Sequence, residues 1–66
     1  MKNVNEIINN AAYAFRSNNN PKCISFADYV SAEFWKTVGK DTQTHDAQEL
    51  YCNLADIGFT PLERFQ

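Results

Sequence analysis

The side chains best equipped for chemistry are one histidine, His45, and two cysteines, Cys23 and Cys52. His45 and Cys52 are seven positions apart on what reads as one helix face, which is about 10.5 Å of rise. A thiolate nucleophile needs its base within hydrogen-bond reach, so this spacing denies a Cys–His pair. Nothing in the sequence marks Cys23 and His45 as partners either. His45 and Glu49 stand at i and i+4 and could both touch one ion. A zinc site wants four protein ligands, or three and a water. Cys23 is the one plausible third ligand, and there is no Cys-x-x-Cys. Gly39 and Gly58 both sit where a helix must stop, so no glycine-rich loop is left to cradle phosphate. Paired carboxylates would need a cleft to shift their ionisation, and a small helical domain rarely supplies one. The expectation is a protein with no catalytic residues, no metal site and no cofactor.

The elements that would position these groups are short. Sixty-six residues make one domain, residues 1–66, and exclude a dinucleotide-binding α/β unit or a barrel. Hydrophobic residues are 44% and charged residues 21%, the balance of a chain that folds. In the first segment Val4, Ile7, Ile8, Ala11, Ala12 and Phe15 recur with a 3.6-residue period. Asn3 or Asn5 can cap that helix, and the Ser17-Asn18-Asn19-Asn20-Pro21 run ends it. Ser25 opens a second helix, with Asp28 in the place of a capping-box Glu and Ile24 and Tyr29 placed as a hydrophobic staple. Phe26, Ala27, Val30, Phe34 and Val38 share its apolar face, and Gly39 stops it. Thr42 or Thr44 caps a third helix with the stripe Ala47, Leu50, Tyr51, Leu54 and Ile57. Gly58 closes it, and Phe59 is placed to pack back on Leu54. Thr60, Pro61 and Glu63 then read as a second helix start, so a turn from Pro61 to Phe65 should fold Leu62 and Phe65 onto the core. The fold class predicted is all-α: a compact three-helix bundle with a short C-terminal helical turn.

What remains outside suggests binding. Tyr13 lies roughly 165° from the centre of the first stripe. Tyr29 and Trp35 flank the second stripe on opposite edges, and one three-helix core should not take both deeply. Tyr13, Tyr29 and Trp35 are therefore one candidate partner-binding surface, since aromatic residues are enriched at interfaces. The other is the polar face of the third helix, with Asp46, Glu49 and Asp56 beside His45, Gln48 and Cys52. The formal net charge is −2, and the six basic residues are scattered. A nucleic-acid binder normally clusters its basic residues, and the third helix would offer phosphate only acids. Direct nucleic-acid binding is thus the weaker reading, in the form of a small dimeric DNA-binding regulator. The leading expectation is a small acidic non-enzymatic protein that binds another protein as a stoichiometric regulator or inhibitor. A basic, nucleic-acid-binding surface is one such partner. A phage or mobile-element inhibitor of a bacterial defence or transcription complex is one form this class takes. A homodimer burying the spare aromatics is a third reading. The start, Met1 to Glu6, has no apolar signal region, and no apolar run reaches 18 residues. Two cysteines are too few for a disulfide framework. A cytoplasmic protein with no membrane partner is expected.

Overall fold

Helix α1 spans Val4–Ser17, α2 spans Phe26–Val38 and α3 spans His45–Asp56, in a computed structural model that describes residues 3–39 and 44–63. The described residues contain no strand, and the three helices form an all-α bundle. The radius of gyration is 10.9 Å. A compact domain of this length should have about 11 Å.

Side chains set the helix starts. Asn3 accepts the amide of Glu6 at 3.0 Å, Ser25 accepts that of Asp28 at 3.3 Å, and Thr44 accepts that of Ala47 at 3.1 Å. Each bond satisfies one of the donors that a helix start leaves without an intrahelical partner. The Asp28 carboxylate closes the α2 cap in an altered way. It accepts the amide of Ile24 at 2.9 Å, one residue before the cap, where a capping-box Glu would return to the cap residue itself. The stops are equally local. Asn18 takes the left-handed conformation at φ 53°, and the amides of Asn18 and Asn19 bond back to the carbonyls of Phe15 and Ala14. After α3, Gly58 at φ 97° allows the amide of Phe59 to reach the Leu54 carbonyl at 2.9 Å, and that of Gly58 to reach Ala55 at 3.0 Å. Both are the paired closure of a Schellman motif.

The core centres on α2. Ile7, Ala11 and Ala14 of α1 and Ala47, Leu50 and Leu54 of α3 are buried together with Val30 and Phe34. α1 lies mainly against α2 and touches α3 lightly. The third cover of α2 is the extended segment after Gly58. Pro61 of that segment is buried, and Ser31 accepts the amide of Leu62 at 3.1 Å. Trp35 donates its indole N–H to the Leu62 carbonyl at 2.6 Å. We call this segment the strap.

Several sequence expectations are corrected here. Tyr29 and Trp35 are both deep, at 3% and 8% exposure, because α2 is covered on more than one side. An element covered in that way buries residues around most of its circumference. The Ile24–Tyr29 staple does not form, since Ile24 is 87% exposed while Tyr29 turns inward. Ala27 is exposed, and Ala14 is buried where Phe15 had been expected. Ile57 is exposed as well, beyond the last turn of α3. Of the expected C-terminal turn, Leu62 is half-buried and Glu63 has 3-10 geometry, while Phe65 lies outside the described residues.

Candidate protein-binding face

The two surfaces expected from sequence fare differently. The aromatic one is not assembled. Tyr13 stands 67% exposed on α1. Tyr29 is committed to the core, and its hydroxyl clamps the α1–α2 loop. It donates to the Asn20 carbonyl at 3.1 Å and accepts the Asn20 amide at 3.3 Å. Trp35 is committed to the strap. Neither can serve as an exposed contact in this conformation, because each polar handle is already bonded inside the fold.

The face of α3 is assembled. Ala47, Leu50 and Leu54 anchor one side of the helix in the core. The helical period then places His45, Gln48, Glu49, Cys52, Asn53 and Asp56 outward, and all are exposed, as is Asp46. His45 Nδ1 lies 3.7 Å from Glu49 Oε2. Ligand atoms of His45, Asp46 and Glu49 lie within 4.8 Å of one another. Asp46 thus joins the pair that sequence spacing had suggested. The trio is solvent-facing on a single helix turn and has no fourth protein ligand among the described residues, so it does not amount to a built metal site. Cys23 is buried and Cys52 exposed, and neither is in a disulfide.

Charge is unevenly distributed. α3 carries Asp46, Glu49 and Asp56 and no Lys or Arg. The chain as a whole has net charge −2, so everything outside α3 nets +1. Asp46 in the first turn suits the helix dipole, and Glu49 faces His45. Asp56 has neither excuse. It occupies the last turn, where the helix end is partially negative and a cation is favoured, and no basic residue stands there. An acid at that end costs about 0.3–1 kcal/mol.

Beside this face lies a feature that sequence reading missed. A cleft of about 330 Å³ opens between α2, α3 and the strap. Phe34 and Trp35 contribute from α2, Gln48, Tyr51 and Cys52 from α3, and Pro61 and Glu63 from the strap. Phe34 packs edge-on against Trp35 with ring centres 5.0 Å apart and against Tyr51 at 5.8 Å. The signal available in sequence was weak. By spacing Tyr51 reads as part of the core stripe, and only the strap's bonds to Ser31 and Trp35, about thirty residues away in the chain, create the second wall.

No family model, curated protein or solved structure matches the chain. No helix among the described residues is long and apolar enough to cross a membrane.

Proposed function

We propose that the protein is a small non-enzymatic regulator or inhibitor that binds another protein through the outer face of α3. The observation that supports this most is Asp56, together with the absence of any basic residue on α3. A sequence that optimised only its own stability would place a cation in that last turn, as α1 does with Arg16 and α2 with Lys36. Departures from local rules without local compensation concentrate where function constrains the residue. An exposed helix face with carboxylates at both ends and no Lys or Arg of its own suits a Lys/Arg-rich partner surface, and this complementarity favours rate and specificity of association. Action in the cytoplasm accords with a chain of only two cysteines, too few for the disulfide framework of a small secreted domain.

The test is quantitative affinity capture from host lysate with three baits: the native chain, Glu49→Lys/Asp56→Lys, and Glu6→Lys on the remote end of α1. A protein retained stoichiometrically by the native and Glu6→Lys chains, and lost from the α3 double variant, is the expected result. Equal retention by the double variant would overturn the assignment of α3. The retained complex should also weaken as salt is raised, because exposed charge pairs are screened.

A further inference from the structure

We infer that the cleft beside α3 receives a single bulky apolar side chain of the partner, flanked in the partner's sequence by Lys or Arg. This rests on α3 being the binding face and specifies what that face recognises. Three observations converge on it. First, the floor is aromatic, formed by the edge-on pair Phe34 and Trp35. Aromatic and aliphatic side chains that fill pockets of this kind supply much of the energy of protein interfaces. Second, the volume of about 330 Å³ is at the low end of small-molecule sites, which run from about 300 to 1,000 Å³. It is roomy enough to admit a bulky aromatic or aliphatic side chain. Third, acids border it. Glu63 lines one wall, and Cys52 on the other wall has Glu49 and Asp56, which lie outside the lining itself, as its i−3 and i+4 neighbours on the same helix face.

A residue on the partner that enters the slot therefore meets the Glu63 carboxylate at one wall and has those of Glu49 and Asp56 about a helix turn from the other. Glu49 and Asp56 lie about 4.5 and 6 Å along the helix from Cys52 at roughly 1.5 Å per residue, one to two residues of an extended chain, which advances roughly 3.3 Å per residue. Basic residues adjacent to the anchor would reach them, whereas acidic ones would be repelled. A bare apolar surface is the poorer match, since it leaves the rim carboxylates desolvated without partners.

The chain carries its own reporter, because Trp35 is the single tryptophan and lies in the cleft. The probe is a short synthetic peptide with one Phe between pairs of Lys, titrated against the full chain while Trp35 emission is followed. Two comparison peptides replace the Phe by Ala or the Lys residues by Glu. A saturable emission change with the first peptide is expected, with affinity at least about tenfold weaker for each comparison peptide. Capping the exposed Cys52 thiol with a maleimide puts bulk on the rim and should abolish the response without altering the fold, which far-UV circular dichroism checks. Tyr51→Ala should weaken it too. No saturation at millimolar peptide, equal binding of the Ala or Glu peptide, or an unchanged response after capping would each overturn the inference. Those failures are separable from failure of the α3 assignment. Lysate capture still lost on reversing Glu49 and Asp56 would keep α3 as the face and reject only this occupant.

Discussion

Trp35 is the residue on which the strap and the core depend together, and its replacement by Ala is the most informative single perturbation. The side chain is 8% exposed, packs edge-on to Phe34, and holds the Leu62 carbonyl through its indole N–H. Truncating a buried Trp to Ala typically costs about 3–5 kcal/mol. A 66-residue domain is stable by roughly 3–10 kcal/mol in all. Trp35→Ala should therefore remove from about a third to all of that stability, and leave the chain half unfolded or worse if the total lies at the low end. Trp35→Phe keeps a ring and removes the N–H, so it should cost about 1–2 kcal/mol. Ser31→Ala removes the acceptor for the Leu62 amide and should cost about 1 kcal/mol. Both bonds hold the same residue of the strap, so the two effects should not add. Once one bond is cut, the strap frays and the second contributes less, giving a coupling on the order of 0.5 kcal/mol or more. Urea unfolding followed by far-UV circular dichroism measures all four corners of this cycle. A released strap also buries less surface, so the denaturant slope of the double variant should fall. A loss below about 1 kcal/mol for Trp35→Ala would refute the buried position of this residue. A strictly additive cycle with unchanged slopes would refute the strap as one unit.

Four further outcomes follow from individual residues. Asp56→Lys should raise stability by about 0.3–1 kcal/mol at low salt and lose that gain at high salt, while weakening partner capture; a destabilised variant in urea titration would contradict the dipole argument. Thr37→Val should stabilise by about 1 kcal/mol in the same assay, because the Thr37 hydroxyl oxygen is buried with no hydrogen-bond partner. Gly58→Ala should cost about 1 kcal/mol or more although its Cβ would meet nothing within 4 Å, since the strain lies in φ 97° and not in contacts. A native thiol titration with a chromogenic disulfide should show Cys52 reacting fast and Cys23 only on the timescale of unfolding, and equal rates would place Cys23 at the surface.

Capping chemistry was the most legible part of the fold, because each cap depends on residues three or four positions apart. Asn3, Ser25 and Thr44 start the helices and Gly39 and Gly58 end two of them, as their types and positions imply. The α1 stripe was legible for a similar reason: a helix with one covered side shows one apolar face. α2 was less so. Ser31 and Asp28 are buried beside Tyr29 and Trp35, and a wheel that assumes one buried face assigns such residues to the outside or the margin. What overrides the wheel is tertiary: the strap supplies Leu62 as hydrogen-bond partner to Ser31 and Trp35, and the loop supplies Asn20 to Tyr29. Sequence periodicity carries no record of partners that arrive from about thirty residues away.

The same distinction separates the two halves of the candidate site. Asp46, Glu49 and Asp56 could be placed on one exposed face from spacing alone, since a surface charge needs only its own helix to position it. The cleft could not, because its walls belong to three segments and exist only after the strap docks. This makes the strap more than a lid on the core. If its two bonds to α2 set the far wall of the cleft, then Ser31→Ala should weaken peptide binding at the cleft while leaving the α3 carboxylates untouched. Charge-dependent capture would persist, and the preference for an apolar anchor would fade. That separation would show that one face recognises its partner by two physically independent means: long-range charge borne by a single helix, and shape that depends on tertiary docking.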